Sequence, residues 1–121
     1  MLIIDDEELV RSAAQATLSK YGYRVLTAEN GQVGVDLLRR FVGQVDVVLL
    51  DMTMPVMSGE ETLRHIRRIR IDMPVILSSG FHQSEAVRRF TKGGLAGFIQ
   101  KPYTSTSLAE VVKAAMKPDS R

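Results

Sequence analysis

Residues 45–50 read VDVVLL and are followed by Asp51. Every residue of this stretch except Asp46 is valine or leucine, a composition typical of a strand that is buried on both faces of a sheet. Such strands occur in parallel sheets that carry helices on both faces. The stretch is therefore predicted to be a central strand, named β3.

Short apolar runs alternate with longer segments of helical periodicity on both sides of β3, and this alternation is typical of α/β proteins. The other predicted strands are β1 (residues 2–4), β2 (23–28), β4 (74–77) and β5 (98–99). The predicted helices are α1 (7–21), α2 (33–41), α3 (58–70), α4 (84–91) and α5 (107–117). These elements predict one α/β domain over residues 1–117, followed by a C-terminal tail at 118–121.

Apolar residues at helical spacing predict the buried faces of the helices. In α1 they are Leu9, Val10, Ala13, Ala14, Thr17, Leu18 and Tyr21, and in α2 they are Val33, Leu37, Leu38 and Phe41. Ser58 and Glu61 form a capping-box pattern at the start of α3, and Gly22 suits the end of α1.

Composition excludes several classes of protein. The 121 residues contain no cysteine, which excludes disulfides, thiolate metal sites and cysteine nucleophiles. No apolar run approaches the roughly 20 residues of a membrane span. The start MLIIDDEE carries acidic residues, whereas a signal peptide begins with a basic region. A cytoplasmic protein without direct membrane contact is therefore expected.

The basic residues give weak evidence for nucleic acid binding. The formal net charge is only +2. The basic residues of α3 lack interleaved aromatic residues, so they are interpreted as a solvated helix face. No direct nucleic acid contact is expected.

Four of the five predicted strands end at residues that can take part in chemistry. They are Asp5 and Asp6 after β1, Asp51 after β3, Ser78 and Ser79 after β4, and Lys101 after β5. Each has an ordinary explanation by itself, because the acidic pair can cap α1 and a lysine can be solvated. Ligands of open α/β sheets bind beyond the carboxyl ends of the strands, so the combination favours one shared site.

Three carboxylates at one edge of a sheet need a compensating cation. Two such charges about 4 Å apart repel by roughly 4 kcal/mol at an effective dielectric constant of 20. Mg²⁺ or Mn²⁺ suits the set, because hard divalent ions prefer oxygen ligands and can accept a phosphate oxygen. Lys101 adds a positive charge and Ser79 a hydroxyl, so the set predicts a phosphoryl acceptor with a carboxylate nucleophile.

Four motifs occur in order: IIDDEE at 3–8, VVLLDMTMPVMSG at 47–59, MPVILSSG at 73–80 and GFIQKPY at 97–103. With these motifs the sequence resembles the receiver domains of two-component response regulators, over nearly the whole chain. The resemblance implies a flavodoxin-like, doubly wound parallel sheet of order 2-1-3-4-5. It also implies transfer of a phosphoryl group from a phosphohistidine to an aspartate.

The resemblance implies roles for the acidic residues and the lysine. Asp51 matches the phosphoacceptor of the family. Asp6 matches the direct metal ligand and Asp5 its neighbour, while the backbone carbonyl of Thr53 matches a further protein ligand. Lys101 matches the lysine that pairs with the phosphate.

The resemblance also implies a switch and its supporting turns. Ser79 matches the switch hydroxyl, chosen over Ser78 by its spacing from Pro74. Phe98 matches the aromatic residue that turns inward and alters the α4-β5-α5 surface. The supporting turns contain Pro55 and Gly59 after the phosphoacceptor, and Pro102, before which the family often has a cis peptide bond.

Two positions match those that tune the phosphate lifetime in the family, Thr53 and Phe81. Neither side chain is an acid or amide that could orient an attacking water. Slow self-dephosphorylation, over minutes or longer, is therefore expected.

The expected partner is a sensor histidine kinase or a histidine phosphotransfer domain that docks near Leu9 and Val10. The domain would act as a switch and not as a turnover enzyme, as a monomer or a phosphorylation-dependent dimer. The segments SSGF and GFIQKPY resemble receivers of hybrid sensor histidine kinases. Two alternatives stay open: a phosphorylation-independent pseudo-receiver, and a haloacid-dehalogenase-like phosphatase, which would need a DxD motif after the first strand.

Overall fold

The computed structural model describes residues 1–52, 54, 57–80 and 96–116. Its strands are β1 Leu2–Ile4, β2 Leu26–Ala28, β3 Val48–Asp51, β4 Val75–Ser79 and β5 Gly97–Gln100. All adjacent strands are parallel, in the order β2-β1-β3-β4-β5. The α/β, flavodoxin-like fold that the resemblance implies is confirmed.

The described helices are α1 Glu8–Lys20, α2 Gly31–Arg40, α3 Gly59–Ile69 and α5 Ser105–Met116, with a short 3₁₀ helix at Val42–Gln44. The predicted α4 at 84–91 and the predicted tail at 118–121 lie outside the described residues. At the start of α3, the Ser58 hydroxyl accepts a hydrogen bond from the Glu61 amide at 3.1 Å, as the capping-box pattern indicates. Gly22, which follows α1, has a φ of 95°, a conformation that favours glycine.

Several predicted boundaries were wrong, each for a local reason. Helix α2 begins at Gly31, two residues early, because the Asn30 side chain accepts a hydrogen bond from the Val33 amide. Helix α5 begins at Ser105 because the Thr104 hydroxyl accepts one from the Ser107 amide. Strand β2 is shorter than predicted, since β1 offers it only three residues to pair with.

The core forms one layer on each face of the sheet. Leu2, Ile4, Val48, Leu50 and Leu77 contribute to the layer under α2 and α3. The other layer, under α1 and α5, contains Ile3, Leu49, Ile76, Leu18 and Leu108. The alternation within β1 and β3 therefore buries both faces of the central strands, as expected for a parallel sheet.

The predicted inward faces of α1 and α2 were partly wrong. Leu9 and Tyr21 are exposed, because α1 presents mainly Ala14 and Leu18 to the core. Val33 is also exposed, because α2 approaches the sheet through its glycines. A Cβ atom on Gly34 would collide with the Ile4 side chain, so a larger residue fits only if Ile4 moves. Among the described residues, no helix is both long and apolar enough to cross a bilayer.

Candidate functional site

The sheet brings the predicted acidic residues together at one edge. Ile4 of β1 pairs with Leu50 of β3. Asp5, which follows β1, and Asp51, the last residue of β3, therefore lie at the same edge of the sheet. One carboxylate oxygen each of Asp5, Asp6 and Asp51 lies within 4.8 Å of the other two. Asp5 and Asp51 are buried, whereas Asp6 is exposed. The donor set fits a hard divalent cation, which prefers carboxylate oxygens.

Lys101, which follows β5, supplies positive charge to this cluster. Its ammonium nitrogen lies 3.1 Å from Asp5 Oδ2 and 3.3 Å from Asp51 Oδ1. The same nitrogen donates a hydrogen bond to Glu7 Oε1 at 2.9 Å. Burial favours the neutral amine, but the contacts with Glu7, Asp51 and Asp5 outweigh it and raise the pKa of Lys101. The lysine therefore stays charged in the site.

Backbone hydrogen bonds fix Asp5 at the junction of β1 and α1. Asp5 Oδ1 accepts a hydrogen bond from the Glu7 amide at 2.9 Å, and the Asp5 carbonyl accepts one from Arg11 at 2.8 Å. The Asp5 amide donates to the Ala28 carbonyl at 3.1 Å. Asp5 therefore positions Glu7, the residue before α1, and also faces Lys101, but the predicted side-chain cap of α1 is not formed.

Gly59 supports the end of β3 by a close backbone approach. Its amide donates to the Met52 carbonyl at 3.1 Å. A Cβ atom there would lie 2.6 Å from Met52 Cα and 2.8 Å from the Asp51 carbonyl oxygen, so only glycine fits without a shift. The predicted roles of Thr53 and Pro55 in this loop, and that of Phe81, fall on residues outside the described part of the chain.

The two candidate hydroxyls lie on different faces of β4. Ser78 is the partner of Asp51 in the sheet register. Ser79, the predicted switch hydroxyl, is fully buried, and its hydroxyl donates to the Gly80 carbonyl at 3.3 Å. It shares the face of Leu77, whose partner in β5 is Phe98. Phe98 is half-buried and packs against the core layer under α2 and α3.

A groove of about 420 Å³ opens beside Lys101, between the start of α1 and the turn after β5. It is lined by Glu7, Leu9, Val10, Ala13, Lys101, Pro102 and Tyr103. The peptide bond between Lys101 and Pro102 is cis, as the resemblance implies. Burial, followed by the negative charge of Asp5, raises the pKa of Tyr103 to about 12, so its phenol is neutral.

Three basic residues in α3 or directly after it make contacts within the protein. Arg64 pairs with Glu60 at 2.7 Å on the helix surface. Arg67 donates to the Met73 carbonyl at 2.6 Å, and Arg70 donates to the Val45 carbonyl at 3.2 Å. Arg67 and Arg70, which are partly exposed, thus also hold neighbouring backbone, a contact that the interpretation as a solvated face does not include.

Sequence reasoning missed the contributions of Glu7, Arg11 and Tyr103 to this region. Glu7 and Tyr103 belong to the motifs IIDDEE and GFIQKPY, but their residue types indicate no contact with a particular partner. The Glu7–Lys101 contact spans 94 positions of sequence, so it follows only from the fold, which places the residue before α1 beside the turn after β5.

Comparisons with known proteins find the same family that the sequence motifs resemble. A family model described as response regulator receiver domain matches residues 1–113. The sensor kinase CckA of Brucella abortus is 31% identical over 97% of this chain and 12% of that kinase. The two-component response regulator ORR41 of Oryza sativa subsp. japonica is 34% identical over 93% of this chain and 90% of that regulator. A receiver domain structure from Clostridium thermocellum has a TM-score of 0.88 at 31% identity, covering 95% of this chain and 91% of that one.

Proposed function

The chain belongs to the response regulator receiver domain family, and from that premise we propose that it accepts a phosphoryl group from a phosphohistidine onto Asp51. The observation that carries the proposal is the acidic cluster within 4.8 Å together with Lys101, whose ammonium lies 3.3 Å from Asp51 Oδ1. A pseudo-receiver needs neither the complete acidic set nor the lysine. Their presence supports phosphoryl chemistry.

In the proposed step, an Asp51 carboxylate oxygen attacks the phosphorus atom while the phosphorus–nitrogen bond of the donor breaks. The electron pair of that bond stays on the imidazole nitrogen, and Asp51 becomes an acyl phosphate. The Lys101 ammonium donates to a phosphoryl oxygen and stabilises the negative charge there. Because Asp51 is buried, the protein also limits access of water to the reacting carboxylate.

We propose that Asp5, Asp6 and Asp51 hold Mg²⁺ or Mn²⁺. Each offers a carboxylate oxygen to the same small volume. A bound divalent cation would neutralise negative charge on the phosphoryl oxygens. Thr53, whose carbonyl is a further predicted ligand, stays a prediction from the sequence.

We propose that Ser79 and Phe98 connect the site to the α4-β5-α5 surface. Ser79 lies two residues beyond Leu77, the sheet partner of Phe98, so the two residues are diagonal neighbours on one face. Movement of the Ser79 hydroxyl towards a phosphoryl oxygen would alter the packing around Phe98. Phosphorylation would in this way shift the population of two surface conformations.

The groove beside Lys101 is the docking site that we propose for a sensor histidine kinase or a histidine phosphotransfer domain. Leu9 is 85% exposed at its rim, and Val10, Pro102 and Tyr103 extend the apolar wall towards the phosphoryl site. The similarity to a sensor kinase, of which this chain spans 12%, supports a place within a hybrid sensor histidine kinase. The cytoplasmic location, the domain limits at 1–117, the slow dephosphorylation and a phosphorylation-dependent dimer stay predictions from the sequence.

Intact mass measurement after incubation with acetyl phosphate tests the function. The wild-type chain is expected to gain one phosphoryl group in the presence of Mg²⁺ and none in the presence of a chelator. Asp51→Asn should gain none. Asp36→Asn makes the same chemical change at an exposed position of α2, and it should behave like the wild-type chain.

Two results would contradict the proposal. If the folded wild-type chain binds Mg²⁺ but forms no adduct, a phosphorylation-independent interaction module becomes the better explanation. If acetyl phosphate is instead hydrolysed over many turnovers without a lasting adduct, the phosphatase alternative is favoured. Family membership and the position of Asp51 at the end of the third strand, not the first, speak against that second result.

A further inference from the structure

Within the described part of the chain Lys101 makes three ionic contacts, and its partners differ in their exposure to water. Asp5 and Asp51 have side chains that are only 4% and 3% exposed. The side chain of Glu7 is 59% exposed, although its 2.9 Å contact with the ammonium is the shortest of the three. Lys101 itself is 16% exposed, so of these three partners only Glu7 is more exposed than the lysine.

The ammonium nitrogen lies within 3.3 Å of three carboxylates, those of Asp5, Glu7 and Asp51. An ammonium group has three N–H donors, and it donates a hydrogen bond of 2.9 Å to Glu7 Oε1. A phosphoryl oxygen on Asp51 would therefore compete with these carboxylates for the ammonium. A buried carboxylate that loses its cation is costly to leave in place, whereas an exposed one is solvated at little cost.

We propose that Glu7 is a positioning residue that holds the Lys101 ammonium before phosphorylation and gives it up to the incoming phosphoryl group. Glu7 then competes with anions for Lys101 and lowers the affinity of the unphosphorylated site for them. This inference rests on the proposed function, since it assigns Lys101 to the phosphoryl oxygens.

The local structure allows the side chain of Glu7 to be tested without disturbing α1. Glu7 is the N-cap residue, but its side chain makes no capping hydrogen bond. It is the backbone amide of Glu7 that donates to Asp5 Oδ1. Glu7→Gln therefore retains the start of the helix and removes only the charge opposite Lys101.

Binding of beryllium fluoride, a phosphoryl mimic, at saturating Mg²⁺ measures the competition. Glu7→Gln is expected to bind it about twofold to fivefold more tightly than the wild-type chain, the range that corresponds to an exposed ion pair. Glu8→Gln removes the same charge from the next residue, also exposed, and should bind like the wild-type chain. The ¹⁵N signal of the Lys101 ammonium in the anion-free protein should move in Glu7→Gln and stay in place in Glu8→Gln.

Equal affinities of Glu7→Gln and the wild-type chain, or weaker binding by Glu7→Gln, would overturn the inference. So would equal gains in Glu7→Gln and Glu8→Gln, because a general charge effect would then explain both. In each of these cases the wild-type chain still binds the mimic and the proposed function stands. If the wild-type chain neither binds beryllium fluoride nor forms the acetyl phosphate adduct, the proposed function and the inference both fail.

Discussion

The two ends of β3 carry similar polar groups in very different surroundings. Before the strand, the Asp46 side chain is 64% exposed, and in the nearby Arg70–Asp72 pair, at 3.0 Å, the side chains are 38% and 76% exposed. At the end of the strand, in the Asp51–Lys101 pair at 3.3 Å, they are only 3% and 16% exposed. The ion pairs have nearly the same length, so distance alone does not distinguish them. Burial does, because it removes the water that would otherwise solvate each charge.

The largest difference between the two ends should appear when the cation is removed. Lys101→Met leaves Asp5 and Asp51 buried without their positive partner, and in the absence of Mg²⁺ it should lower the free energy of unfolding by about 3 kcal/mol. Arg70→Met breaks the pair with Asp72 and the hydrogen bond to the Val45 carbonyl, both at the surface or partly buried, and should lower it by only about 1 kcal/mol. Urea denaturation of both variants measures the difference.

Added Mg²⁺ sharpens this test. A divalent cation among the acidic residues should restore part of the stability that Lys101→Met loses, because it supplies the missing positive charge. The difference in free energy of unfolding between Arg70→Met and the wild-type chain should stay the same when Mg²⁺ is added. Equal losses in the two variants, or a loss in Lys101→Met that Mg²⁺ does not reduce, would contradict the assignment of the buried end as a charge-compensated cation site.

A glycine near each end of β3 gives the next comparison. Gly59→Ala forces a Cβ atom against the backbone of Asp51 and Met52, so it should lower the free energy of unfolding by about 2 kcal/mol. It should also slow phosphorylation by acetyl phosphate, since the residue that moves is the proposed nucleophile. Gly43→Ala has no heavy atom within 4 Å of its new Cβ and should be neutral or slightly stabilising.

Thermal denaturation and the rate of mass gain check both glycine variants. If Gly59→Ala were as stable and as reactive as Gly43→Ala, the loop after β3 would have to shift without moving Asp51. The predicted supporting role of Gly59 would then be wrong.

The buried end of β3 was predictable because its signals are local. A run of valine and leucine that ends in Asp51 indicates a central strand, and the carboxyl end of such a strand is where ligands bind in this class of sheet. The acidic pair after β1 and the lysine after β5 follow by the same reasoning. The strand order came from the family resemblance and not from the periodicity of the residues.

What the sequence could not supply depends on packing between distant segments. Helical spacing predicted that Leu9 and Val33 are in the core, but both are exposed. Helix α1 presents mainly Ala14 and Leu18 to the core, and α2 approaches Ile4 through Gly34. Glu7 looks like an ordinary acid at the start of a helix until Lys101 is placed beside it from 94 positions away. Propensity and periodicity carry no information about such contacts.

The smallest expected effect concerns the serines that end β4. At its start β4 places Val75 opposite Val48, whereas at its end it places Ser78 opposite Asp51. The Ser78 hydroxyl is buried and has no hydrogen-bond partner within the part of the chain that is described. Ser78→Ala should therefore leave the free energy of unfolding unchanged or raise it by up to about 1 kcal/mol. Ser79→Ala loses the hydrogen bond to Gly80 and should lower it by about 1 kcal/mol or less.

The response to beryllium fluoride separates the two serines functionally. If Ser79 is the switch hydroxyl, the Phe98 ring signals should shift on anion binding in Ser78→Ala as in the wild-type chain, and much less in Ser79→Ala. The reverse result, with the shift lost in Ser78→Ala, would move the switch to the serine that faces Asp51. Substantial destabilisation by Ser78→Ala would also favour Ser78 as the switch residue. A buried hydroxyl that contributes to stability makes a hydrogen bond, and here its partner would lie beside the phosphoacceptor.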